Sequence, residues 1–217
     1  MNNIKNPTYF QTGSFSSSIS EKTLISDFFH DIYFNKRNGL EEKKFVFLEP
    51  NKIKERLNKS KHFVIGELGF GAGLNFLATW NILNNFGLKD CVLDYISVEA
   101  FPLENLVLKK THSLFPEVES LSKKLLESLP PLWPGIHKLH FNEGKLCLTL
   151  IYGDAIEVLK SSTFLADAWY FDGFNPKTNP KMWSLDLFNE VKRLTNRGGT
   201  FSSFSSSSNV KKNIIEA

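Results

Sequence analysis

One stretch, residues 63–76, restricts the fold more than any other: an apolar run from Phe63 to Leu68 carrying Gly66 and Glu67, then Gly69, Gly71 and Gly73 at alternate positions, then Leu74-Asn75-Phe76. The apolar run has the length of a buried strand. The three glycines let the backbone turn tightly and approach a ligand without Cβ clashes. The segment Leu74–Asn85 that follows has the length and amphipathic character of a helix. A strand, a glycine turn and a helix in that order open a sheet of parallel strands.

The alternation continues downstream. Strand Val92–Val98 precedes a helix over about 103–112, strand Leu146–Tyr152 a short helix Ala155–Lys160, and strand Ala168–Phe171 a helix Leu185–Thr195; Arg197-Gly198-Gly199 then turns into strand Thr200–Phe204. This pattern predicts an α/β fold, a Rossmann-like sheet with helices on both faces. Residues 61–217 form its core and residues 1–60 an N-terminal extension packed on it. The extension reads as a polar, Ser-rich segment to about residue 20, an aromatic run Leu24–Phe34, a turn at Gly39, a strand-like Phe45-Val46-Phe47-Leu48 and a basic helix opened by Pro50. An insertion at about 113–145 holds a helix Val118–Leu129 and a hairpin turning at Asn142-Glu143-Gly144.

Ligands of such sheets bind beyond the carboxyl ends of the strands, and Glu67, Glu99, Asp154 and Asp172 all fall at or just past such ends. The dinucleotide fingerprint fails, because Leu74 or Phe76 stands where its last glycine belongs. Glu67, just before the turn, would repel a diphosphate but tolerate a cationic sulfonium bearing an adenosine and an amino-acid tail. The expected ligand is therefore S-adenosylmethionine, cradled by Glu67, Gly69, Phe70, Gly71, Gly73 and Asn75, with the helix N–H groups taking its carboxylate. Glu99 would accept the ribose hydroxyls, against the alternative of an acid favoured by a helix N-terminus. Asp154 either receives the adenine amine or caps the helix at Ala155, and the two roles can coexist. Asp172, in Tyr170-Phe171-Asp172-Gly173-Phe174-Asn175-Pro176, stands where the transferred methyl group would lie, unless it only makes an Asp-Gly turn.

Composition removes other classes. With 217 residues, 41% of them hydrophobic, the chain can build one α/β domain with a subdomain but not two large domains. Cys91 and Cys147 lie in apolar strand-like runs and read as buried thiols of a reducing compartment. The five histidines lack metal-ligand spacing, so no metal is expected. A polar N-terminus and the lack of an apolar run of roughly 18 residues predict a soluble, cytoplasmic protein without a membrane partner. A net charge of +3 permits an anionic partner without demanding one.

Several strings resemble those of the MnmC-type tRNA wobble-uridine methyltransferase domain. They are Asp31-Ile32-Tyr33-Phe34 with Asn38-Gly39-Leu40-Glu41-Glu42, Phe45 to Leu48, Glu67 to Leu77, Glu99-Ala100-Phe101-Pro102-Leu103, Asp172 to Pro176, Asn179-Pro180-Lys181-Met182-Trp183 and Leu187-Phe188. The Asp-Gly-Phe-x-Pro string with its Asn-Pro-x-Met-Trp partner is more specific than the glycine turn. The resemblance implies S-adenosylmethionine as cofactor, tRNA as partner, and conversion of 5-aminomethyl-2-thiouridine at the wobble position to its 5-methylaminomethyl form. For that chemistry Asp172 is the candidate for holding or deprotonating the amine, and Asp31, Tyr33, Phe174, Pro176 and Trp183 are the substrate-binding candidates. The alternatives are another amine substrate, or an inactive relic that binds nucleic acid. The chain departs from the family pattern at Ala72, where Thr is usual. It also lacks the FAD-dependent oxidase domain often fused behind this one, which implies a separate oxidase partner or a missing fused domain. Since the sequence stops at Ala217, ahead of the family's antiparallel strand pair, a sheet without its last strands is expected.

Overall fold

The computed structural model describes residues 15–16, 25–26, 28–31, 33, 39–86 and 91–217. Most of the Ser-rich segment and part of the aromatic run, including Leu24, Ile32 and Phe34, lie outside the described residues. Phe15–Ser16 (β1) and Ile25–Ser26 (β2) form a short antiparallel ladder. The main sheet comprises β3 (His62–Leu68), β4 (Val92–Glu99), β5 (Gly135–Phe141), β6 (Leu146–Tyr152), β7 (Ala166–Phe171) and β8 (Thr195–Ser203), in the order β5-β6-β4-β3-β7-β8. All neighbours are parallel except β5, which runs antiparallel to β6 across the turn at Asn142–Gly144. The insertion therefore gives the sheet an edge strand as well as a helix.

Strand alternation divides the core. Phe63 and Ile65 of β3, Leu93 and Tyr95 of β4 and Tyr170 of β7 pack with Leu40, Leu57, Leu77, Val107 and Leu125. These belong to α1 (Gly39–Lys43), α2 (Ile53–Lys59), α3 (Leu74–Asn85), α4 (Asn105–His112) and α5 (Glu119–Ser128). On the opposite face Val64, Leu68, Trp169 and Phe171 pack with Leu159, Leu187 and Val210. Those come from α6 (Ala155–Ser161), α7 (Leu185–Arg193) and α8 (Ser208–Glu216). The sheet is thus covered on both sides, as parallel strands require. Gly66 lies on this second face, where a Cβ would stand 2.5 Å from the Trp169 ring.

Four expectations differ from the structure. Gly39 starts α1 rather than a turn, and Phe45–Leu48 is not a strand: Lys44–Leu48 continues α1 as a π-helical turn, closed by Glu49 N–H donating to Lys44 O. Four adjacent apolar residues carry no period that separates strand from helix, and the helical phase buries Leu40, Lys43 and Phe47 while leaving Phe45 exposed. The basic helix starts at Ile53, after a turn that contains Pro50. β8 begins at Thr195 and bulges between its pairings with Ala166 and Ala168, which places Arg197–Gly199 inside the strand.

Candidate active site

Successive strands step outward from β3 in one direction through β4 and β6 and in the other through β7 and β8. The crevice at such a reversal is where open α/β sheets bind ligands. A cavity of about 880 Å³ lies there, reached by the loops after β3, β4, β6, β7 and β8 and by residues of the N-terminal segment and α1.

The glycine turn forms the cavity's near wall. Gly69 has φ of 92°, and a Cβ there would stand 2.5 Å from Asp172 O. Its N–H donates to Val98 O, and Asp172 N–H donates to Leu68 O, so the turn is tied to both neighbouring strands. Gly73, also left-handed, is the N-cap of α3 and donates to Phe70 O. Phe70 and Gly71 line the cavity. Behind them the buried ring of His112 holds the turn, with Nε2 2.7 Å from Ala72 O and Nδ1 2.7 Å from Ser122 Oγ. Burial pushes the His112 pKa down. The neutral ring must donate from Nε2, because a carbonyl only accepts, so Nδ1 accepts from Ser122. His112, one of the five histidines without metal-ligand spacing, thus braces the glycine turn.

The strand-end acids occupy different depths. Glu99 lines the cavity and accepts from Gly71 N–H (2.8 Å) and Phe101 N–H (2.7 Å). Burial raises its pKa, and the backbone N–H groups partly oppose that. A carboxylate has about four lone-pair positions, so Glu99 keeps acceptor capacity toward the cavity. Asp154 also lines it, while Oδ1 caps α6 by accepting from Ile156 and Glu157 N–H. Asp172 lines the far wall. Glu67 does not line the cavity: it is fully buried under the turn, accepting from Asn75 Nδ2 (2.9 Å) and Ser97 Oγ (2.6 Å). Desolvation lifts its pKa to about 8 against those hydrogen bonds, which weakens the charge it would present to a diphosphate or a sulfonium. Asn75 is also buried and bridges Glu67 to Asp172 Oδ2, at 2.8 Å from the latter.

The far end is aromatic. Phe174 stacks on Phe29, with centroids 4.5 Å apart, and meets Tyr33 edge-on at 5.0 Å. Asp31 Oδ2 accepts from Asn175 N–H and so fixes the loop after β7; Asp31, Tyr33, Phe174 and Pro176 all line the cavity. Trp183, expected as a pocket wall, is instead only 3% exposed beneath this loop, where its Nε1 donates to Phe174 O at 2.8 Å. Lys43 was not singled out from sequence, yet it lines the cavity and its ammonium lies 2.5 Å from Asp172 Oδ2. Its signal was helical phase: Leu40, Lys43 and Phe47 fall on one face, hidden while Phe45–Leu48 read as a strand.

Residues 116–217 match a family model described as S-adenosyl-L-methionine-dependent methyltransferase. Over 208 residues the chain is 41% identical to the tRNA 5-methylaminomethyl-2-thiouridine biosynthesis bifunctional protein MnmC of Vibrio vulnificus (strain YJ016), covering 90% of this chain and 31% of that protein. The protein of the same name from Ectopseudomonas mendocina (strain ymp) is 40% identical over 196 residues, covering 89% and 30%. The chain thus spans about three-tenths of the length of the curated relatives it matches. Among solved structures, MNMC2 from Aquifex aeolicus superposes with a TM-score of 0.73 at 26% identity, over 97% of this chain and 65% of that one.

Proposed function

We propose that this chain, a homologue of the MnmC proteins with the fold of S-adenosylmethionine-dependent methyltransferases, methylates the 5-aminomethyl group of wobble 5-aminomethyl-2-thiouridine in tRNA to give the 5-methylaminomethyl form. The observation that carries the reading is Asp172. Its Oδ2 takes two donors, Lys43 and Asn75, while Oδ1 receives no hydrogen bond from the described residues. An acid with one oxygen left over, on a cavity that Phe174 and Tyr33 also line, suits an amine attached to a flat base.

The residues present fit the cofactor. The cavity is near the upper end of the roughly 300–1,000 Å³ usual for small-molecule sites, with room for a nucleoside and a second ring. The first-turn N–H groups of α3 lack intrahelical partners and would take its carboxylate. Glu99 would accept from its ribose hydroxyls, and Asp154 stands on the adenine side. When bound, S-adenosylmethionine supplies a methyl group already activated on a sulfonium, so the chain's task is alignment and delivery of a neutral amine. An alkylamine with a Lys-like pKa of about 10 is mostly protonated at neutral pH. Asp172 Oδ1 would accept an amine N–H, aim the nitrogen lone pair, and take up the proton released on N-alkylation. Phe174 and Tyr33 would stack around the uracil ring and exclude water, and Asp31 would keep the Phe174 loop in place. The FAD-dependent oxidase that the resemblance implies, fused or separate, would act on the precursor.

The test uses methyl-labelled S-adenosylmethionine and tRNA carrying the 5-aminomethyl wobble base. Nucleoside mass spectrometry should show one added methyl group at that amine. Asp172→Ala should lower turnover by about 10²–10⁴-fold while calorimetric affinity for S-adenosylmethionine falls much less. Near-normal turnover in that variant, or no methyl gain with the unaltered protein, would refute the reading.

A further inference from the structure

A buried lysine on a ligand cavity needs an explanation, because an ammonium is almost never fully buried unless paired. Lys43 is 4% exposed. Its Nζ lies 2.5 Å from Asp172 Oδ2, 5.4 Å from the Phe47 ring centre and 5.7 Å from that of Phe204. It is therefore held from α1, the π-helical turn and the loops after β7 and β8. Asn75 Nδ2 reaches the same carboxylate oxygen from α3. Two donors hold Oδ2, while Oδ1 of this cavity-lining residue receives no hydrogen bond from the described residues.

We propose that Lys43 is a positioning residue for methyl transfer: it clamps Asp172 through Oδ2 and cancels its charge, so that the amine received by Oδ1 stays neutral. This rests on the function proposed above. A lone carboxylate beside an amine favours the ammonium form, which has no lone pair to alkylate. The surroundings add to that bias. Asp172 interacts with Glu67 from β3, with Tyr95 from β4 and with Glu99 at the end of β4, while Glu42 and Asp31 also line the cavity. Lys181 lines it too but is exposed. Lys43 is thus the buried cation that offsets a mostly acidic wall.

Lys43→Met removes the charge at similar length, and Lys43→Arg retains it. For both, calorimetric affinity for S-adenosylmethionine should stay within about threefold of the unaltered protein, since neither touches the glycine turn. The rate of methyl transfer to 5-aminomethyl tRNA is then followed against pH. In Lys43→Met the acid limb should move up by about one to two pH units, a loss of about tenfold or more at pH 7 that recovers in alkali. Lys43→Arg should keep the limb where it is. A loss in Lys43→Met equal at every pH, an unmoved limb, or Lys43→Arg behaving like Lys43→Met would overturn the proposal. If Lys43→Met loses cofactor binding, Lys43→Gln carries the same test, keeping a donor to Asp172 without the charge. An unaltered protein that methylates no such tRNA refutes the substrate reading and takes the proposal with it. An active unaltered protein with unshifted variants refutes the role of Lys43 alone.

Discussion

Replacing Glu67 by Gln should make the protein more stable in alkali. The native carboxyl is fully buried and its pKa is lifted from 4.5 to about 8 by desolvation. A carboxyl whose native pKa lies above its unfolded value binds more protons folded than unfolded throughout that window. Stability contributed by the protonated form is therefore complete below pH 4.5 and is lost as pH rises toward 8. Each unit of separation is worth about 1.4 kcal/mol, so Glu67 alone removes roughly 3 kcal/mol between pH 5 and pH 8. The substituted side chain in Glu67→Gln keeps the local hydrogen bonds: its carbonyl accepts from Asn75 Nδ2, and its amide donates to Ser97 Oγ once that hydroxyl turns. For a chain of 217 residues a gain of that size raises Tm by roughly 6–12 °C.

Urea unfolding of both proteins at pH 5 and pH 8 measures this directly. The Glu67→Gln protein should match the unaltered one within about 1 kcal/mol at pH 5 and exceed it by roughly 3 kcal/mol at pH 8. Parallel pH dependences in the two proteins would show that Glu67 does not hold its proton in the fold. The same pair tests the cofactor argument. A group whose charge is weakened by burial and that lies outside the cavity should barely affect S-adenosylmethionine affinity, so a tenfold weaker Kd in Glu67→Gln would restore the electrostatic role that the sequence suggested for it.

Two further substitutions probe the turn and the loop after β7. Gly69→Ala forces a left-handed dihedral and a Cβ against Asp172 O; the dihedral alone costs roughly 1–3 kcal/mol, and both Tm and cofactor binding should fall, an unchanged calorimetric Kd counting against the turn as ligand cradle. Trp183→Phe removes the donor to Phe174 O at a cost of about 1–2 kcal/mol; on the proposed function, KM for tRNA should rise while cofactor Kd stays level, and an unchanged KM would separate Trp183 from the proposed substrate wall.

Elements bounded by strong punctuation were legible from the residues. Leu74–Asn85 follows Gly73, and Leu146–Tyr152 stands between Gly144 and the Gly153-Asp154 pair; the structure places both elements at those bounds. The N-terminal part was harder because its information is in phase rather than composition. Phe45 to Leu48 are all apolar, and only their continuation of α1 shows that Phe47 packs inward beside Leu40 while Phe45 faces solvent. Trp183 could be tied to the Asp-Gly-Phe loop from its string, but whether its ring faces the ligand or supports the loop depends on the Phe174 carbonyl. No local pattern encodes that contact.

The position of the working charge follows from strand parity. Glu67 shares the odd face of β3 with Phe63 and Ile65, and those residues belong to the core under α3. An acid on that face, one residue before the strand end, had to be buried, and a buried acid without a cation gives up its charge. Asp172 lies just beyond the end of β7, where the chain has left the sheet and its side chain is partly exposed to the cavity. There Lys43, 129 positions away in sequence, can reach it. The two acids are joined by Asn75 yet differ in kind: Glu67 has hydrogen bonds without a cation, while Asp172 has both. Of the two acids that Asn75 joins, Asp172 is therefore the one paired with a cation, and Glu67, which first marked the turn as a candidate ligand site, lies beneath it as a support.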